Sequence, residues 1–301
     1  MSDTVFVAEL SWPEFQQRVS RGAIAFVPIG ATEQHGRHMP LGVDAILPTA
    51  VCAEVARRRD GLVLPAVAYG NRSQPRSGGG MAFPGTINLT AETLTLLLRD
   101  ILTELVRHDV RRIAVVNGHY ENVWPSIEAI ERALDHIGRD RLSDLRILRI
   151  DIWEALRRET LARVFPHGYP GIELEHASVI ETSMMLVLRP DLVHLDRAAN
   201  DGPACFRPYD RFPGPVREVP ASGVLSTTEG SSEEKGRWLL ADSLPASPKK
   251  PAGVWLSRTA ASSKSSKPAG SPLRELTRSS TPAAMSCCRA SSMPIITCTN
   301  R

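Results

Sequence analysis

The feature that most constrains this chain is an alternation, running through residues 1–242, of short apolar runs ended by glycine or a polar turn with longer segments of helical spacing. The runs are Ala23–Gly30, Leu62–Val67, Arg112–Gly118 and Asp144–Asp151. Near-continuous apolar runs of this length are what strands buried on both faces look like. Between them, residues 44–58 place Ile46, Leu47, Ala50, Val51 and Val55 at helical spacing. Ala91–His108, opened at Thr90, is rich in leucine three and four apart, and Glu121–Ile137 and Trp153–Val164 complete the helical set. Strands that alternate with helices need crossovers on the faces of the sheet. The expectation is therefore an α/β fold: a three-layer sandwich around a mostly parallel sheet with helices on both faces. Ligands in such folds sit beyond the carboxyl ends of the strands.

The chain has 301 residues, 42% of them hydrophobic and 23% charged, the composition of a globular protein. No apolar run approaches the roughly 18 residues of a membrane span, and the acid-bearing start MSDTVFVAELSW has no secretory pattern. A cytoplasmic protein without a membrane partner is expected. Cys52, Cys205, Cys287, Cys288 and Cys298 form no CxxC pair, so free thiols are expected and any metal must be held by His and carboxylates. The net charge of +3 divides unevenly: residues 243–301 carry nine bases and one acid, leaving 27 bases and 32 acids before them. In that tail Ser, Thr and Pro make up 25 of 59 residues, with no helical or alternating period. Such a composition cannot offset chain entropy by burial, so the tail is expected to be disordered. Trp255 is its only aromatic residue. A nucleic-acid role, which would pair the charge with stacking residues, is not expected.

Two motifs stand directly after strands. Gly30-Ala31-Thr32-Glu33-Gln34-His35-Gly36 follows the first, and in extended chain Glu33 and His35 share a face. Asn117-Gly118-His119-Tyr120-Glu121-Asn122 follows the third and repeats the pair in reverse order as His119 and Glu121. Asp44, just before the helix 44–58 gathers way, is a carboxylate able to bridge two ions. Divalent ions about 3.5–4 Å apart share and acidify a water while one polarises the bond under attack, and carboxylates balance their charge. A donor set of imidazoles and carboxylates suits zinc or manganese better than calcium.

ATEQHG, LGVDAILPTA, FPGT (Phe83–Thr86), NGHYEN and EHASVIETSMML (Glu175–Leu186), spread from about Val5 to about Leu240, together resemble the creatininase family. The resemblance implies an α/β sandwich, homohexamers, and two divalent ions per chain, zinc or manganese. Glu33, Asp44 and His119 would hold one ion and His35, Asp44 and Glu121 the other. It implies hydrolysis of a small cyclic amide, creatinine to creatine. His176 would be the proton shuttle, oriented by Glu175, and Ser77, Tyr120, Trp153, Ile172 and Glu173 would face the substrate. Ile172-Glu173 departs from the family's Trp-Asp, Ala82 from a common His and Arg37 from a common Pro. These changes leave the metal ligands intact and bear on substrate choice, which keeps another small amide or formamide open as substrate, and a non-catalytic remnant open as a separate reading. In the same light residues 1–242 form the catalytic domain. The abrupt start of the basic tail at Ser243, where relatives continue with a closing helix, fits a shifted reading frame that resequencing the gene would test.

Overall fold

In a computed structural model, residues 3–74, 80–138, 141–206, 209 and 219–243 can be described. They form helix α1 (Trp12–Ser20), strand β1 (Ile24–Ile29), α2 (Val43–Arg59), β2 (Gly61–Val63), α3 (Ala91–Arg107), β3 (Arg112–Asn117), α4 (Val123–Ile137), β4 (Arg146–Asp151), α5 (Arg158–Val164), α6 (Val179–Leu188) and α7 (Glu233–Asp242). The four strands pair in the order β2-β1-β3-β4, all parallel.

Alternation of side chains across the sheet divides the interior into two cores. Ile24 and Phe26 of β1 and Ala114 and Val116 of β3 face one way, against α2, α6 and α7. Ala25, Val27 and Ile29 of β1 and Ile113 and Val115 of β3 face the other way, against Leu94, Leu98 and Leu102 of α3 and Ala129 and Ala133 of α4. Helices thus cover both faces, and the expected three-layer α/β sandwich is what the chain forms. Because β1 and β3 lie side by side at the centre, with β2 and β4 outside them, the chain leaves the two central strands in opposite directions. That is a topological switch point, and it opens a crevice at their carboxyl ends.

Two glycines let that crevice form. A Cβ on Gly30, just past β1, would lie 2.2 Å from the Asp44 carbonyl oxygen, and one on Gly118, just past β3, 2.3 Å from the same atom. The first turn of α2 can therefore rest directly on the two strand ends and carry Asp44 to the switch point. A carboxylate in a first turn is also favoured by the helix dipole.

Some boundaries differ from the sequence reading. β2 ends at Val63 rather than Val67 because Pro65 has no N–H for the ladder, although the Val67 N–H still donates to the Pro28 carbonyl at 3.0 Å. Tyr120–Asn122 forms a 3-10 turn before α4, and Ile152–Ala155 another before α5, so neither Glu121 nor Trp153 lies in an α-helix. Cys52 and Cys205 are free thiols, and no described helix is long and apolar enough to cross a membrane. The tail from 244 onward, with Cys287, Cys288 and Cys298, lies outside the described residues.

Candidate metal centre

The first motif runs extended after β1 and the period-two reading holds: Glu33 and His35 are both buried and both turn to the switch point. His35 Nδ1 donates to the Glu33 carbonyl at 3.1 Å, which leaves Nε2 facing Asp44 Oδ1 at 3.0 Å and Glu181 Oε2 at 3.7 Å. On the other strand His119 Nε2 donates to the Asn71 carbonyl at 2.9 Å, leaving Nδ1 3.2 Å from Glu33 Oε1 and 3.1 Å from Asp44 Oδ2. Backbone carbonyls thus engage one nitrogen of each imidazole and aim the other at carboxylates, where a cation would displace its proton, the arrangement metal-binding histidines use. Asp44 presents one oxygen to each ring. It is 1% exposed, yet its Oδ2 accepts no hydrogen bond. A buried carboxylate oxygen without a donor, beside an imidazole lone pair, suits a cation between them.

The donor atoms fall into overlapping clusters within 4.8 Å: Glu33, Asp44 and His119; His35, Asp44 and Glu181; and Glu33, His35 and His176. Glu181, which the sequence reading did not assign, thus stands beside His35 and Asp44 where Glu121 was expected. The cause is local. Tyr120–Asn122 turns as a 3-10 helix, so His119 and Glu121 do not share an extended face. Glu121 instead sets Oε2 3.3 Å from His119 Nε2, and its Oε1 accepts from the Gln74 N–H at 3.2 Å. Glu181 projects from α6, and its Oε2 accepts from the Ala177 N–H at 2.6 Å. Ala177 adopts a left-handed φ of 55° to offer that N–H, strain of the kind held at functional sites.

His176 lies with its ring centroid 4.4 Å from that of His35 and its Nδ1 3.6 Å from Glu33 Oε1. Its ring is held by Gln34, whose carbonyl lies 2.8 Å from Nε2, and not by Glu175 as expected. Adjacent residues point apart here: Glu175 turns under α6, where its Oε2 accepts from the Ile180 N–H at 3.0 Å while Oε1 has no partner. Burial pushes the Glu175 carboxyl up to about 8, so it is not the anion that would steady an imidazolium.

Above the centre lies a small cleft of about 60 Å³, bordered by Tyr120, Trp153, Ile172 and Glu173 as well as by Glu175 and His176. The Tyr120 and Trp153 rings stand 6.1 Å apart at 31°. Four of the five residues expected to face a substrate therefore meet in one place. Ser77 lies outside the described residues.

Charge reinforces the geometry. Burial pulls His35 and His119 towards neutrality, but the carboxylates of Asp44 and Glu181 around the first, and of Glu33 and Glu121 around the second, hold both pKa values well above 6.5. Burial would likewise raise Asp44, yet His35 and His119 hold it down at about 2. For imidazoles so raised, the stabilisation is full below the unfolded value and is lost as pH rises through the folded one. A cation must displace those protons. Zinc uptake at pH 7 is accordingly expected to release about two protons per chain, and affinity to weaken as pH falls. Calorimetry in buffers of different ionisation enthalpy reads this directly, and uptake without proton release would contradict it.

These features define an α/β protein whose switch-point cleft gathers buried imidazole and carboxylate donors, a set suited to divalent cations, around one aspartate. Residues 8–245 match the family model described as Creatininase: Creatinine amidohydrolase. The creatinine amidohydrolase of Pseudomonas putida is 45% identical over 242 residues, 80% of this chain and 93% of that protein. The mycofactocin precursor peptide peptidase of Mycobacterium tuberculosis is 31% identical over 78% of this chain and 87% of its own length. Among solved structures, a manganese creatininase superposes with a TM-score of 0.77 at 43% identity, covering 80% of this chain and 94% of that one. A mutant creatininase of Zn-Zn type gives 0.78 at 43%, covering 80% and 95%. The chain belongs to the creatininase family.

Proposed function

We propose that this protein hydrolyses the cyclic amide of creatinine to creatine, using two divalent ions, zinc or manganese. The observation that carries the reading is Asp44, with one oxygen toward the His35 lone pair and the other toward that of His119. The likeness to the Pseudomonas putida creatinine amidohydrolase supports the substrate. Glu33 and His119 would hold one ion and His35 and Glu181 the other, with Asp44 shared. Glu121, set against the Nε2 edge of His119, would hold that ring in place. When bound, such ions acidify a water and polarise the amide carbonyl.

The chain's own residues supply the rest. Held at Nε2 by the Gln34 carbonyl at 2.8 Å and the Gln34 side-chain amide at 3.0 Å, His176 would use Nδ1 to take a proton and pass it to the departing ring nitrogen. Trp153 and Tyr120 offer flat apolar walls to a planar heterocycle and exclude water from one side of it. Glu173 offers a carboxylate to its N–H groups. The catalytic unit is residues 1–242, and the assembly a cytoplasmic homohexamer.

Ile172, an aliphatic residue on the cleft wall, favours a second reading in which another small amide is cleaved. Metal analysis should find about two ions per chain for either substrate. Creatinine turnover with added manganese or zinc then separates them, and Glu121→Gln is expected to abolish it. A metal-replete protein that leaves creatinine untouched but cleaves another amide establishes the second reading, and full activity in Glu121→Gln removes that residue from the site.

A further inference from the structure

Asp151 closes β4 next to Asn117, its register partner at the end of β3, and is 3% exposed. Two side chains and a turn converge on it. Asn117 Nδ2 donates to its Oδ1 at 2.7 Å, and the Arg149 guanidinium pairs with the same oxygen. Asp151 also caps the 3-10 turn Ile152–Ala155 in a capping box, with Glu154 Oε2 accepting from the Asp151 N–H at 3.4 Å.

Two of these links lead into the cleft from different sides. Asn117 grips His119 at both ends of its residue: Nδ2 donates to the His119 carbonyl at 2.7 Å and Oδ1 accepts from the His119 N–H at 3.1 Å. An amide can be reversed end for end, and Asp151 forbids the reversal. A flipped Asn117 would set oxygen against carboxylate and NH2 against the His119 N–H. The second link is the 3-10 turn, which carries Trp153 to the cleft wall. Arg149 anchors the carboxylate from behind, donating through Nε to Ser126 Oγ of α4 at 3.1 Å.

We propose that Asp151 is a positioning residue that couples the turn presenting His119 to the turn presenting Trp153, so that one buried carboxylate sets the gap between the cation sites and the aromatic wall. The inference rests on the two-metal reading of the cleft. The zinc and emission arms of its test do not depend on the substrate.

In Asp151→Asn, which keeps the size of the side chain, an amide must turn its NH2 toward Asn117, Arg149 or the cap. Metal-stripped protein titrated with zinc should bind the ion held at His119 about 10–100-fold less tightly, as when an outer partner of a ligand is lost. The emission contributed by Trp153, taken as the difference from Trp153→Phe in the same background, should shift in Asp151→Asn. Glu154→Gln loosens only the cap, so it should shift the Trp153 emission and leave zinc affinity unchanged. If Asp151→Asn does not fold, Asn117→Ser replaces it for the zinc arm. Creatinine kinetics add a third readout: KM should rise more than kcat falls in Asp151→Asn, and Trp153→Phe should then add little. Unchanged zinc affinity, an unchanged Trp153 emission, or KM effects that multiply independently would overturn the coupling. Wild-type protein that binds two ions but leaves creatinine untouched would overturn the substrate and not the coupling.

Discussion

Asp44→Ala is expected to bind fewer than about one ion per chain and to lose turnover by at least ~10³-fold, the upper end of the cost of deleting one transition-state electrostatic group. No other side chain can substitute. Asp44 is the one residue common to the Glu33, His119 cluster and the His35, Glu181 cluster, and it reaches the centre because Gly30 and Gly118 let α2 sit on the strand ends. Without it His35 keeps only Glu181 and His119 only Glu33 and Glu121, and no carboxylate is shared between the two sites. Stability supplies a second readout. A ligand present at 100 times its Kd stabilises the native state by about 2.7 kcal/mol, so a chelator should lower the Tm of the wild type and leave that of Asp44→Ala unmoved. A variant that retains two ions and a chelator-sensitive Tm would show that the bridge lies elsewhere.

The parts of this centre that could be read from sequence are those where backbone conformation stays regular. Glu33 and His35 follow β1 in extended chain, so alternation alone placed both toward the switch point. β1 and β3 themselves were legible because both are continuous apolar runs, the mark of buried strands, while the order that pairs them was not. Periodicity failed at His119-Tyr120-Glu121, where a single 3-10 turn rotates Glu121 away from the face it was expected to share. No pattern of period two could report that turn. Glu181 left a different signal: it is the one charged residue in α6, among Val179, Ile180, Met184 and Met185, all buried. An acid in so apolar a helix needs a charged partner, and His35 is that partner. Glu175 misled for the opposite reason, since a carboxylate next to a histidine in sequence is not next to it in space when the two side chains point apart.

The same geometry explains how one crevice can separate holding ions from moving protons. His35 and His119 each lose one nitrogen to a carbonyl and offer the other to carboxylates, so neither is free to shuttle. His176 also has a carbonyl on one nitrogen, that of Gln34, but its Nδ1 stands 3.6 Å from the nearest carboxylate oxygen and borders the open cleft. That longer approach leaves the nitrogen available.

His176→Ala should therefore lower kcat by about 10²–10⁴-fold, the range general acid–base catalysis contributes, while about two ions per chain remain bound. The chemistry fixes the direction: opening a cyclic amide expels a nitrogen that must be protonated as it leaves. Because the loss is of one proton carrier and not of the centre, added imidazole should restore part of the rate to His176→Ala. His176 also belongs to a cluster with Glu33 and His35, which makes the competing role definite. If the alanine variant loses an ion in proportion to its activity and imidazole restores neither, His176 is a ligand, and the proton reaches the leaving nitrogen by another route.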